Sequence, residues 1–192
     1  GIGHLAPFIR LSNMGEVIWQ KFYRPSVDSS INALVIEKVS NQYVVSGSFF
    51  PSSMGNQSPC IMRLDTNCDV RYLKIIPNLP GHCEGLQDFK VKYPNKYVFS
   101  TIALGYNGGF CNGPIKARIF ITDSIGTMLA SNIFNTQQDI ELRRICFANN
   151  GDILFTGVLE SFTLTNYEDI YVVRTDSNLY TPPIGISTIS NE

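Results

Sequence analysis

Short apolar runs of five to eight residues, separated by clusters of Gly, Pro, Asn, Asp and Ser, follow one another along the chain. They run from Val17 to Phe22, Ala33 to Val39, Tyr43 to Phe49 and Cys60 to Leu64. The next four run from Val70 to Ile76, Leu86 to Val91, Tyr97 to Ala103 and Ala117 to Ile121. Then come Thr127 to Phe134, Ile140 to Phe147, Ile153 to Leu159 and Ile170 to Arg174. Their Val, Ile, Phe and Tyr content and their punctuation predict β-strands. No helical periodicity extends over a useful length. Ile140 to Ile145 reads locally as a helical turn, but its place in the series predicts a strand. A leading strand is expected from Phe8 to Leu11.

The strands fall into a repeat. Tyr43-Val44-Val45-Ser46-Gly47, Tyr97-Val98-Phe99-Ser100-Thr101 and Ile153-Leu154-Phe155-Thr156-Gly157 start 54 and then 56 residues apart. A second landmark keeps the same period: Arg10-Leu11-Ser12-Asn13, Arg63-Leu64-Asp65-Thr66, Ile121-Thr122-Asp123-Ser124 and Arg174-Thr175-Asp176-Ser177. Four strands every 50-odd residues is the pattern of β-propeller blades. The expected fold is therefore all-β, with three four-stranded antiparallel blades and a leading strand. Units of about 12–64, 65–122 and 123–176 form a repeat domain over residues 1–181, followed by a linker over 182–192. Asp65, Asp123 and Asp176 supply the Asx chemistry of turns, and Gly15 and Gly126 stand where a positive φ is needed. Three blades cannot close a ring, so further blades of a longer precursor, or copies of the chain, are expected as partners.

Composition narrows the function. Charged residues make up only 16% of the chain, the net charge is −1, and no basic stretch exceeds Arg143-Arg144. A nucleic-acid partner is not expected. No apolar run approaches the roughly 20 residues of a membrane-spanning helix. Five cysteines form no Cys-x-x-Cys pair. Cys146, in an apolar run, is expected to be a buried free thiol, whereas Cys60, Cys68, Cys83 and Cys111 lie near loops and leave room for one or two disulfides.

Gly15-Glu16-Val17-Ile18-Trp19-Gln20-Lys21, Tyr43 to Gly47 and Ile61-Met62-Arg63-Leu64-Asp65 carry a resemblance. They resemble the propeller-like repeats of secreted Bacteroidota and Ignavibacteria proteins, with G-x-x-x-W-x-K, Y-x-x-x-G and K-L-D motifs. The match is clear in the first unit and weaker in the later two, where Trp19 has no counterpart and Thr101 replaces glycine. Pro182 to Glu192 resembles the linker before the C-terminal sorting domain of type IX secretion cargo, the sorting domain itself being absent. The resemblance implies export through the type IX machinery to the cell surface or medium, and brings no catalytic residues with it.

Candidate chemistry is sparse. Asp65-Thr66-Asn67-Cys68-Asp69 places oxygens at alternate positions, like the start of a calcium loop, but the EF-hand glycine and distal Glu are missing. A turn between blades explains the same residues. Calcium at Asp65, Asn67 and Asp69 is the one metal alternative, and no cofactor is expected. His82 beside Cys83 could be imagined as a base and nucleophile, yet adjacent strand residues point to opposite faces. His4 has no metal-ligand partner at the required spacing. The Gly-rich stretch Gly105 to Gly113 fits no phosphate-binding pattern. It is expected to be a long loop between third and fourth strands, and Tyr106, Asn107, Phe110 and Asn112 on it are the candidate ligand-binding residues. Trp19 and the phenylalanines 49, 50, 99, 120, 134, 147 and 155 are expected in the core.

These features favour a non-enzymatic extracellular module with a structural, adhesive or protein-interaction role. Two alternatives stand beside it. One is part of a propeller enzyme, a hydrolase or quinone-dependent dehydrogenase with its site in missing blades. The other is a carbohydrate-binding module.

Overall fold

A computed structural model of the chain describes residues 6–26, 28–51, 57–92, 95–107, 110–134, 139–160 and 168–181. His4 and the segment 182–192 lie outside them. The described secondary structure consists of strands: β1 (Ala6–Leu11), β2 (Val17–Tyr23), β3 (Ser30–Val39), β4 (Gln42–Phe50), β5 (Ser58–Leu64), β6 (Val70–Ile75), β7 (His82–Lys92), β8 (Lys96–Asn107), β9 (Phe110–Asp123), β10 (Met128–Phe134), β11 (Asp139–Phe147), β12 (Ile153–Glu160) and β13 (Glu168–Thr175). They form four antiparallel sheets: sheet I (β1-β2), sheet II (β3-β4-β5-β6), sheet III (β7-β8-β9-β10) and sheet IV (β11-β12-β13).

All-β architecture and the strand sites agree with the pattern in the sequence, but the grouping differs. Sheets II, III and IV begin at the second strand of each expected unit. The turns at Asp65 and Asp123 are therefore hairpins within a sheet (β5 to β6, β9 to β10), not passages between blades. The sheets hold two, four, four and three strands, where three complete blades were expected. The reason is local. The Asp turn is a tight five-residue reversal that can only join hydrogen-bonded neighbours.

That reversal recurs with one geometry. The N–H of Asp65 donates to the Asp69 carbonyl at 3.1 Å and the N–H of Cys68 donates to the Asp65 carbonyl at 2.9 Å. The pairs Asp123/Thr127 and Asp176/Tyr180 repeat the first bond, as do Ser12/Glu16 and Ala148/Asp152. In the three Asp turns, Oδ1 accepts the N–H groups two and four residues on, at 2.8–3.0 Å. The fourth residue has positive φ in all five turns: Gly15 (84°), Cys68 (57°), Gly126 (81°), Gly151 (87°) and Leu179 (69°).

These bonds hold the carboxylates in their charged form. The Asp69 N–H, then Arg71 and the Asn67 N–H, lower the pKa of Asp65 against opposing burial. At Asp123 burial opposes the shift, but the N–H groups of Thr127 and Ile125 prevail and lower it. A carboxylate with a lowered folded pKa stabilises the fold above its ordinary pKa of about 3.9 and loses that stabilisation as pH falls through the folded value. Asp123→Ala removes both acceptor bonds and is expected to cost about 2 kcal/mol in urea melts at neutral pH. Asp123→Asn keeps an acceptor oxygen. It should hold most of the neutral-pH stability and show a shallower acid-induced loss than the parent.

The four sheets stack face to face in chain order. Ala6 and Phe8 of sheet I pack with Trp19 and Tyr23 against Val45, Met62 and Leu64 of sheet II. Val44 and Ile61 on the other face of sheet II meet Phe89, Tyr97, Phe99 and Phe120 of sheet III, where Phe99 stacks on Phe120 at 4.6 Å. Val98, Ile119 and Ile121 then meet Ile145, Phe155 and Tyr171 of sheet IV. Trp19 thus packs between sheets as expected, and Phe99, Phe120 and Phe155 are fully buried, but Phe50 and Phe147 are exposed. Each sits at the last position of its strand, Phe147 with Lys92 Nζ 5.7 Å from its ring centre.

Side chains also tie each sheet to the next. Lys21 Nζ of sheet I donates to the Asn67 carbonyl at 2.6 Å, the Tyr72 hydroxyl of sheet II to the Ile125 carbonyl, and Asn132 Nδ2 of sheet III to the Leu179 carbonyl at 3.2 Å. In each case β2, β6 or β10 reaches the Asp turn of the following sheet. In the sheet interior, Ser48 Oγ accepts the Leu86 N–H at 3.1 Å, Glu37 the Val91 N–H at 3.1 Å and Asp88 the Ile145 N–H at 2.8 Å.

Candidate functional site

The stretch expected to be a long loop is a β-hairpin. β8 and β9 stay paired to its tip, with Tyr106 opposite Cys111 and Asn107 opposite Phe110 across a register shift after Leu104. Close approach makes this feasible: a Cβ on Gly113 would lie 2.6 Å from Gly105 Cα. The stretch that carries the four candidates is thus paired backbone, and the side chains of Asn107, Phe110 and Asn112 lie outside the described residues. Gly108 and Gly109 lie outside the described residues. A disulfide joins Cys83 at the start of β7 to Cys111 at the tip, with Cα atoms 5.9 Å apart. This removes the thiol from the imagined His82-Cys83 couple.

Beside the disulfide is an open cleft of about 320 Å³, lined by Ser58, Asn78, Leu79, Gly81, His82 and Tyr106. The Tyr106 N–H donates to the Gly81 carbonyl at 2.8 Å, and His82 Nδ1 lies 2.9 Å from the Pro80 carbonyl. Asn78 Nδ2 donates to the carbonyls of Gln57 (2.8 Å) and His82 (3.2 Å). Asn78 Oδ1 has no hydrogen-bond partner among the described residues. The cleft can therefore present Tyr106 and His82 to a polar ligand, while Asn78 Oδ1 is buried beneath it.

Behind it lies a buried charge pair. Glu84 Oε1 accepts Arg118 Nη1 at 2.8 Å and the Leu79 N–H at 2.5 Å, and Oε2 accepts the Thr101 hydroxyl at 3.1 Å. Arg118 also donates to Ser131 Oγ (3.0 Å) and the Pro77 carbonyl (3.2 Å), and lies over the Phe120 ring at 4.9 Å. Glu84 and Arg118 are both almost wholly buried. Every oxygen of Glu84 is engaged, so this carboxylate orders the ends of β7 and β9 and is not presented to solvent as an acid or base. The sequence reading missed this pair. β7 also carries Asp88, Lys90 and Lys92, and β9 Lys116 and Asp123, so nothing local marks Glu84 and Arg118 as a buried pair.

The calcium candidates are engaged differently. Asp65 Oδ2 accepts Arg71 Nη2 at 2.6 Å, Asp69 Oδ1 accepts Lys21 Nζ at 2.7 Å, and the Asn67 carbonyl accepts the same lysine. Two cationic side chains already hold the oxygens assigned to the ion. No group of three or more His, Cys, Asp or Glu suited to a metal occurs among the described residues.

Three cysteines are free. Cys60 is buried, and burial pushes its thiol up to about 12. Cys146 is exposed, contrary to the expectation of a core thiol, because its side of β11 faces away from sheet III. Iodoacetamide is expected to label Cys146 in the folded protein and Cys60 only after denaturation, as read by peptide mass spectrometry. Rapid labelling of Cys60 in the native chain would contradict the packing of β5.

No family model and no curated protein matches the chain.

Proposed function

We propose that the chain is a non-enzymatic, exported structural module, built of propeller-like sheets whose role is to be stacked into a larger β-assembly. The observation that carries this reading is the use of its polar groups. Asp65, Glu84 and Asp88 spend their carboxylates on turns, a buried pair and sheet-to-sheet links. The faces of the first and last sheets are meanwhile left apolar and open. The Cys83–Cys111 disulfide suits an oxidising compartment, and the resemblance of the tail to a type IX sorting linker supports export to the surface or medium. The test is the intact mass and native sedimentation of the protein from its source. A species larger than a lone 21.4 kDa chain is expected. A monomer of that mass, with both end faces in solvent, would overturn the reading.

A second reading rests on the cleft at His82 and Tyr106, which suits a small polar ligand such as a sugar. Binding on a glycan array that is lost in Tyr106→Ala would favour it.

A further inference from the structure

The repeat allows each end face to be compared with its own equivalents inside the molecule. Aligning the Ser12, Asp65, Asp123 and Asp176 turns places β1 at the position of β5, β9 and β13. Ile9 then corresponds to Met62, Phe120 and Val173, and Leu11 to Leu64, Thr122 and Thr175. All six counterparts are buried against the preceding sheet: Met62 is 1% exposed and Leu64 0%. Ile9 and Leu11 are 52% and 54% exposed.

The opposite end shows the converse. Ile170 and Val172 of β13 correspond to Ala117 and Ile119 of β9, which are fully buried against the following sheet. On sheet IV these two positions are 66% and 54% exposed. One end of the stack thus offers the face that normally receives a preceding sheet, and the other the face that normally receives a following one.

We infer that these two faces bind each other between copies of the chain, head to tail, with sheet IV of one copy seated on sheet I of the next. The inference rests on the structural reading above and names the partner as a second copy. The interface continues one the chain already makes three times, between sheets I and II, II and III, and III and IV. A two-stranded sheet suffices for it, since sheet I already forms such a layer with sheet II through Ala6, Phe8 and Trp19. Because the two surfaces differ, the contact is heterologous, and it propagates unless the ring closes.

Sedimentation of the full 192-residue chain tests this, with variants at exposed positions that leave the internal layers untouched. The parent is expected to associate with rising concentration, reaching at least about twice the 21.4 kDa of one chain. Ile9→Glu and Val172→Glu should each be monomeric. Mixed together, they should form a 1:1 dimer that grows no further, because each variant keeps the end the other has lost. Leu11→Lys and Ile170→Lys form a second pair, used if circular dichroism shows either glutamate variant unfolded. A dimer retained by one single variant would mean like ends pair, and would overturn the head-to-tail contact. A parent chain that stays monomeric at high concentration would also overturn it. In that case a larger native mass assigns the end faces to another segment or protein and keeps the structural reading, whereas a native monomer removes both.

Discussion

Glu84→Ala is expected to lower stability by about 3–5 kcal/mol, the usual cost of removing one partner of a buried ion pair. Arg118 would keep its charge with no anion beside it, only the Pro77 carbonyl, the Ser131 hydroxyl, the Met128 sulfur and the Phe120 ring, and the Leu79 N–H would lose its acceptor. The pair arose in a site where neither charge reaches water, so the loss is mostly the penalty on the survivor. Glu84→Gln with Arg118→Met separates the two contributions. Glutamine keeps one oxygen for the Leu79 N–H, leaving Thr101 to the Arg118 backbone carbonyl, while the charge disappears from both sides. Urea midpoints should show the double variant well above the sum of the single losses, a positive coupling within one network. A loss below about 1 kcal/mol for Glu84→Ala would mean the pair is hydrated, like an ordinary surface bridge.

Gly157→Ala is the second large effect. β11 bulges between Leu142 and Arg144, and the bulge pushes the Glu141 carbonyl towards β12. An alanine Cβ at 157 would overlap that carbonyl and come within 2.8 Å of Leu142 Cα. Backbone on both sides cannot yield as a side chain could, so about 3 kcal/mol is expected, at the upper end for overpacking. Gly47 stands in the same relation to Asn32 and Ala33, beside the bulge of β3. Gly151→Ala is the contrast. Its φ of 87° is unfavourable to alanine, but nothing lies near its Cβ, so about 1 kcal/mol is expected from the left-handed backbone alone. Equal losses at 151 and 157 would show that conformation, and not the bulge carbonyl, explains the glycine at 157.

These glycines mark how far the sequence could be read. The aligned Gly47 and Gly157 revealed the repeat, and its period located the strands. The apolar runs and the Asp turns were visible because they depend on neighbours in sequence. The division into sheets was not, because whether Asp65 ends a sheet or turns within one depends on pairing between distant strands. The Gly-rich stretch 105–113 was misread for a related reason. Glycines signal a loop in isolation, but Gly105 and Gly113 serve here to let two paired strands approach. Of the candidate ligand residues, Tyr106 reaches a cleft, and the residues that complete it, Asn78 and His82, come from before and at the start of β7. The Glu84–Arg118 pair is separated by 34 residues, and no local pattern joins them.

The ties between sheets end largely on backbone N–H and carbonyl groups: Asp88 on Ile145, Glu37 on Val91, Ser48 on Leu86, and Lys21 and Asn132 on turn carbonyls. A backbone group is the same whatever residue bears it, proline's missing N–H aside. The receiving sheet can therefore change its side chains without breaking the link, and a duplicated unit finds its attachment points ready in any neighbour. Such an array can lengthen or shorten by whole units during descent while its repeats drift apart in sequence, as the loss of Trp19 and of the glycine at Thr101 in later units already illustrates.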